Sequence, residues 1–301
     1  MNVNNGKAKY VFLKSKLKQM KRLLVIAILS IVLIKTSAQQ QKVFSVTVTG
    51  KGQPVILIPG FSCSGDVWKE TVNHLKNKYQ CHVLTLAGYA GVPSIDSPGL
   101  KKVRDAIILY VKQQHPNKPI VIGHSLGSFM GLWINSTAPE LFGKLICVDG
   151  MPFYSALNDP NANADSLKNH PSLNEAVVVK SFDRQDAPGF IDMAAKTLAW
   201  QVADTARARQ IATWQYLSNK RTLGITLIEL ATTDLRKNIA TITAPVLVLG
   251  SIYFTKEKSY ELIGQQFKNL PSATLHVADS KHFIMYDQPE WFYNEIDTFL
   301  Q

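Results

Sequence analysis

The segment Gly123-His124-Ser125-Leu126-Gly127 constrains the fold of this chain more than any other part of the sequence. The apolar run at 119–122 before it is typical of a buried strand, and residues 128–134 after it favour a helix. A strand, a sharp turn with a serine at its tip and a helix form the context of a nucleophile elbow. Glycine is expected on both sides of the serine, because a Cβ at either position would collide with the neighbouring strand or helix. The segment predicts an α/β fold with Ser125 at the carboxyl end of a strand; the alternative is a glycine-rich turn with an ordinary exposed serine.

Strand-like and helix-like segments alternate along most of the chain, which predicts a mostly parallel, doubly wound sheet. The strand-like segments are 43–48, 55–58, 82–86, 119–122, 144–148, 245–249 and 274–277, and the helix-like ones are 68–79, 103–114, 128–134 and 289–300. Residues 152–240 contain helical stretches and polar loops without a convincing strand. We therefore predict a helical cap at 152–240, inserted after the sixth core strand, which divides the core into residues 39–151 and 241–301.

The positive charge of the chain is concentrated at its beginning. The formal net charge is +11, but residues 1–38 hold eight Lys and Arg residues and no Asp or Glu. The rest of the chain has 25 basic and 22 acidic residues, without a basic stripe interleaved with aromatic residues. We therefore expect no nucleic-acid partner.

The same N-terminal region has the pattern of a signal peptide. Lys21-Arg22 precede an apolar run at 23–34, which is short for a membrane span, and small residues at 36–38 suit a cleavage site before Gln39. Met20 is an alternative start of the chain. The pattern predicts a periplasmic or secreted protein without stable membrane insertion after cleavage; the alternative is an uncleaved N-terminal anchor. The three cysteines, Cys63, Cys81 and Cys147, do not form a disulfide framework, and none has zinc-type spacing.

A serine hydroxyl becomes a useful nucleophile only beside a general base, which in turn needs an orienting acid. His282 is the best candidate for the base, because it lies in the loop 279–283 between the last predicted strand and the last predicted helix. The alternative is a surface histidine in a polar loop. His124 belongs to the elbow, where its side chain is expected to pack.

Three motifs in this order resemble the α/β-hydrolase superfamily, in its capped serine esterase-like branch. They are Ile58-Pro59-Gly60-Phe61, the elbow itself, and Lys281-His282-Phe283 leading to Gln288-Pro289-Glu290, and the likeness covers about residues 43–301. The resemblance implies an α/β-hydrolase fold and a Ser-His-acid triad. It also implies that the backbone N–H groups of Phe61 and Leu126 form an oxyanion hole, with the Phe61 ring as a wall of the acyl pocket.

The acid of the triad departs from the pattern of the superfamily. Its usual place is an Asp in the loop after the strand at 245–249, but the segment 250–257 contains no Asp. We favour Asp149, which ends the strand at 144–148, since some members of the superfamily place the acid there. Glu257 is the first alternative and Asp234 another, and Asp149 could instead be a turn-forming residue before a glycine.

Large apolar residues of the predicted cap are candidates for the substrate pocket, although such residues often form the small core of a cap. The candidates are Phe153, Trp200 and Trp214, together with Phe190 and Met193. We expect two of these five to face the substrate. Cys63, close to the predicted oxyanion loop, is the only cysteine expected to touch it.

These observations predict a serine hydrolase that cleaves a small to medium carboxylic ester through an acyl-enzyme, with no metal and no cofactor. Other acyl chemistry on the same triad remains open, as in an amidase, lactonase, peptidase or acyltransferase. A non-catalytic protein that binds a small molecule is the alternative from a different class, and the absence of an Asp after Gly250 is its only support.

Overall fold

The computed structural model describes residues 16, 19, 21, 22, 41–114, 117–157, 159–183 and 186–301. The chain divides into two compact units, Met1–Gln41 and Lys42–Gln301. The predicted signal peptide and its cleavage site lie almost wholly outside the described residues. In the described part of the chain, every helix is too short or too polar to cross a bilayer.

The second unit is built on a seven-stranded sheet. Its strands are β1 (Phe44–Gly50), β2 (Gln53–Ile58), β3 (Tyr79–Leu86), β4 (Ile120–His124), β5 (Leu145–Val148), β6 (Val246–Gly250) and β7 (Ala273–Val277). Their order in the sheet is β1-β3-β2-β4-β5-β6-β7, and only β1 runs antiparallel to its neighbour. The predicted mostly parallel α/β sheet is confirmed.

Helices cover both faces of this sheet and form the segment between β5 and β6. They are α1 (Lys69–Leu75), α2 (Leu100–Gln114), α3 (Leu126–Thr137), α4 (Ala164–Lys168), α5 (Glu175–Lys180), α6 (Ala187–Leu198), α7 (Thr205–Leu217), α8 (Lys220–Thr232), α9 (Lys256–Gln266), α10 (Ile284–Asp287) and α11 (Pro289–Leu300). The central strands are continuously buried, and all but the last residue of β4 are apolar or glycine, because both faces of the sheet are covered. In β2, Ile56 and Ile58 belong to the apolar cluster that includes α2 and α3, whereas Val55 and Leu57 belong to the cluster that includes α1 and α11.

The helices α4 to α8 follow β5 and precede β6. Within the described residues of 152–240 there is no strand, as the sequence predicts. In the described sheet five strands precede this helical segment, rather than the six that we expected. In the segment α6 packs on α7, and α5 packs on α8. The segment therefore emerges next to the carboxyl ends of β4 and β5, where α/β sheets build their sites.

Candidate active site

Ser125 lies at the sharp turn between β4 and α3. Its backbone has φ 54° and ψ −116°, a conformation that costs an L-residue about 1–3 kcal/mol. The Ser125 N–H donates to the Val148 carbonyl at 2.8 Å, which ties the turn to the end of β5. A Cβ on Gly123 would lie 2.1 Å from the Gly127 carbonyl oxygen, and one on Gly127 would lie 2.1 Å from the Ile58 carbonyl oxygen. The predicted need for both glycines is confirmed.

His282 and Asp149 meet beside this turn. Asp149 directly follows β5, His282 lies in the loop after β7, and the Nδ1 of His282 is 2.5 Å from the Oδ2 of Asp149. The carboxylate is fully buried, whereas 21% of the His282 side chain is exposed. Because Nδ1–H donates to the carboxylate, Nε2 is left as the nitrogen that can accept a proton. Both residues and Ser125 line the same cavity.

Two residues that the sequence analysis did not single out hold the Asp149 carboxylate. The Ser251 N–H donates to Oδ1 and its hydroxyl to Oδ2, both at 2.8 Å, and the Tyr253 hydroxyl donates to Oδ1 at 3.0 Å. Burial and the neighbouring carboxylate hold the pKa of Tyr253 well above its usual value of 10, so the hydroxyl remains a donor. A buried carboxylate is stable only when such donors replace water. The sequence contains a signal for this contact, since Ser251 and Tyr253 follow β6 closely. Because β6 neighbours β5 and both strands end at the same edge of the sheet, residues after β6 are expected near Asp149.

The alternative acids lie elsewhere. Glu257 is exposed in the first turn of α9. Asp234 accepts hydrogen bonds from the guanidinium of Arg236, the shortest at 2.7 Å. Neither residue lines the cavity that holds Ser125. Of the three candidate acids, only Asp149 contacts His282 among the described residues.

The side chain of His124 packs against the loop that carries His282. Its ring is 1% exposed, and its Nε2–H donates to the backbone carbonyl of His282 at 3.1 Å. The two imidazole rings lie 4.6 Å apart between centroids. Burial, and next the proximity of His282, hold the pKa of His124 well below its usual value of 6.5. His124 is therefore a neutral packing residue, and its one donated hydrogen bond fixes the backbone of His282.

This buried histidine predicts a pH dependence of stability. The unfolded chain binds a proton at His124 below about pH 6.5, but the folded chain does not, so stability is present above that pH and is lost as the pH falls. One such group contributes a slope of at most about 1.4 kcal/mol per pH unit. We expect His124→Phe to flatten the dependence of the unfolding free energy on pH between about 6.5 and 4.5. Urea unfolding of both proteins across this range measures the difference, and equal slopes would contradict the account.

The backbone groups expected to form an oxyanion hole border the same cavity. Leu126 is the first residue of α3, so its N–H has no acceptor within the helix and lies at the positive end of the helix dipole. Phe61 follows β2 closely and is half-buried. Both residues line the cavity together with Ser125.

The cavity has a volume of about 280 Å³ and lies between the sheet edge and the helical segment. Its lining from the helical segment and the residues leading into it is mostly apolar: Met151, Tyr154, Leu157, Leu198, Trp200, Gln201, Ile211, Gln215, Leu227 and Leu230. Cys63 also lines it, as expected from its place beside the oxyanion loop, and burial raises the pKa of this thiol to about 12. Among the described residues, no group of three His, Cys, Asp or Glu side chains could hold a metal ion.

Only Trp200 of the five candidate pocket residues lines this cavity, and 65% of its surface is exposed. Phe153 is fully buried under the Arg236 guanidinium, which lies 4.8 Å from the ring centroid. Trp214 is buried in an apolar cluster. Phe190 packs near Tyr216, and Met193 is 62% exposed. The expectation that two of the five face the substrate is corrected, because Phe153 and Trp214 are buried in packing contacts and neither Phe190 nor Met193 lines the cavity.

Residues other than the predicted aromatic ones line the cavity from the helical segment. Ile211 and Gln215 are one turn apart on α7, and Leu227 and Leu230 are three residues apart on α8. Residues three or four apart share one face of a helix. This spacing is a weak signal, since apolar residues on the other faces of these helices have the same spacing.

Relatives of the chain are known at the level of sequence. Residues 55–295 match the model of the alpha/beta hydrolase family. The pimeloyl-[acyl-carrier protein] methyl ester esterase of Pectobacterium carotovorum subsp. carotovorum is 26% identical over 257 residues, which cover 82% of this chain and 94% of that enzyme. The enzyme of the same name from Vibrio campbellii is 32% identical over 107 residues, which cover 36% of this chain and 41% of that enzyme. The chain thus aligns with less than half of the Vibrio enzyme.

Solved structures share the fold at low sequence identity. A thermophilic esterase from Thermogutta terrifontis has a TM-score of 0.68 at 17% identity, covering 85% of this chain and 92% of the other. The enol-lactonase from Burkholderia xenovorans LB400 has a TM-score of 0.68 at 12% identity, covering 85% and 96%. These likenesses show the fold alone, whereas the family match extends over most of the chain. The protein belongs to the alpha/beta hydrolase family and is an enzyme of the hydrolase class.

Proposed function

We propose that the protein is a serine hydrolase that cleaves a small to medium carboxylic ester. The observation that carries the proposal is the short hydrogen bond between His282 and the buried Asp149, in the cavity that Ser125 also lines. The relatives named as esterases favour the same class of reaction.

In the proposed mechanism the Ser125 hydroxyl attacks the ester carbonyl while the Nε2 of His282 accepts its proton. Asp149 holds the imidazole tautomer and stabilises the imidazolium that forms. The backbone N–H groups of Phe61 and Leu126 stabilise the oxyanion of the tetrahedral intermediate. His282 then protonates the leaving alcohol, and water activated by the same base releases the acid and frees Ser125.

A panel of matched esters and amides tests the class of substrate. We expect the purified protein to hydrolyse p-nitrophenyl esters of short and medium acyl chains and to be much slower on the p-nitroanilides of the same acids. The apolar lining of the cavity favours an acyl chain over a strongly polar one. Faster release of p-nitroaniline than of p-nitrophenol would replace the esterase proposal by an amidase.

We propose further that the chain is exported and that the mature protein begins near Gln39. The support is the succession of basic, apolar and small residues from 21 to 38. Expression in a bacterial host, fractionation and N-terminal sequencing measure the outcome. We expect an exported protein with an N-terminus close to Gln39. Recovery of soluble cytoplasmic protein that retains residues 21–38 would refute export, and membrane-bound protein that retains them would indicate the anchor.

A further inference from the structure

The described lining of the cavity contains one cation that has no carboxylate partner. Lys281 lies immediately before His282, is exposed, and is the only Lys or Arg among the described lining residues. Its Nζ donates to the Ala199 carbonyl at 2.5 Å, which directs the side chain towards the connection between α6 and α7. Within the described residues it forms no ion pair, and its ammonium is hydrogen-bonded to a neutral carbonyl.

Two arginines of the helical segment have carboxylate partners. The Arg207 guanidinium contacts the Glu70 carboxylate at 2.6 Å, and Arg209 contacts Asp192. Both arginines belong to α7, which also contributes Ile211 and Gln215 to the cavity. Unlike these two arginines, Lys281 lines the cavity and has no carboxylate partner among the described residues.

The position of this charge matters for the proposed reaction. An anion held at the Lys281 ammonium binds by a charge-assisted hydrogen bond, which is stronger than a hydrogen bond between neutral groups. A substrate that brings its own negative charge into the cavity therefore gains binding from this contact.

We propose that Lys281 binds an anionic group of the substrate, so that the preferred substrates are esters that carry a carboxylate or comparable anion close to the reacting carbonyl. This inference rests on the proposed esterase function and adds its substrate class. The anion belongs either to the acyl part or to the alcohol part of the ester, and the contact chemistry is the same in both cases.

Matched substrate pairs test the inference. In the first arm, monomethyl adipate is compared with its primary amide, which replaces the acyl-side carboxylate by a neutral group of the same shape. In the second arm, the acetate ester of glycolate is compared with that of glycolamide, which does the same on the alcohol side. We expect kcat/KM to favour the carboxylate by roughly tenfold or more in one arm, and the preference to fall as salt is added.

Three variants separate the charge of Lys281 from its hydrogen bond. Lys281→Gln keeps a donor for the Ala199 carbonyl but removes the charge, and the carboxylate-to-amide ratio is expected to fall towards one. Lys281→Arg keeps the charge and should retain most of the ratio. Lys102→Gln is the matched control, since Lys102 is also an exposed lysine that donates to a backbone carbonyl, that of Ser97 at 2.8 Å, but does not line the cavity. Its ratio should equal that of the wild type.

The ratio distinguishes failure of the inference from failure of the proposed function. If kcat/KM is equal for the neutral and the anionic member of each pair, the protein is an esterase without the proposed selectivity. A ratio that survives in Lys281→Gln places the selectivity on another residue and overturns the role of Lys281. If none of the four esters nor the p-nitrophenyl esters is hydrolysed, the esterase proposal fails, and this inference fails with it.

Discussion

Replacement of Ser125 by alanine is expected to lower the rate of ester hydrolysis by on the order of 10⁴–10⁶. The variant removes the proposed nucleophile and leaves the apolar lining of the cavity unchanged. Steady-state rates on p-nitrophenyl esters measure the effect, with circular dichroism to show that the fold is retained. Ser136→Ala is a matched control, because Ser136 lies in the same helix α3 and its hydroxyl donates only to the Trp133 carbonyl within it. Retention of more than about a tenth of the activity in Ser125→Ala would contradict the serine mechanism.

Replacement of Asp149 by asparagine is expected to have the second largest effect, a loss of roughly 10⁴ in kcat. An asparagine amide has one oxygen where the carboxylate offers two to Ser251, Tyr253 and His282. It can also donate to Nδ1, which would place the proton of His282 on Nε2 and remove the base. Rates on the same esters measure the loss, and thermal unfolding shows how far the buried site is disturbed.

Glu257→Gln is the matched control for Asp149→Asn, since it makes the same chemical change at an exposed carboxylate. We expect it to retain activity close to that of the wild type. Loss of activity in Glu257→Gln with retention in Asp149→Asn would identify Glu257 on α9 as the acid of the triad. The loop before α9 would then have to follow a different path. The hydrolase class of the protein would be unaffected by that outcome.

The sheet was predictable because its signals are local and repeated. Each buried parallel strand is an apolar run of about the right length, and the elbow needs two glycines whose contacts the backbone dictates. The neighbourhood of Asp149 followed from topology, since consecutive parallel strands lie side by side and end at one edge. Boundaries were less certain: β3 begins at Tyr79, inside the segment assigned to a helix, because its first residues pair with both β1 and β2.

The lining of the cavity was not predictable to the same degree. Which face of a cap helix meets the cavity depends on how the helices pack on one another, and the sequence does not show which of Trp214 and Ile211 on α7 does so. Both side chains are buried, but only Ile211 lines the cavity. The hydrogen bond from His124 to the backbone of His282 joins residues 158 positions apart, so no local sequence pattern predicts it.

The most direct test of the account is covalent labelling of Ser125. A fluorophosphonate reacts with a serine that a general base activates, and peptide mass spectrometry identifies the modified residue. The account predicts one adduct, on the peptide that contains Ser125, which is absent in Ser125→Ala and forms far more slowly in Asp149→Asn. A folded protein that forms no adduct, or one that is labelled on another serine, would contradict it.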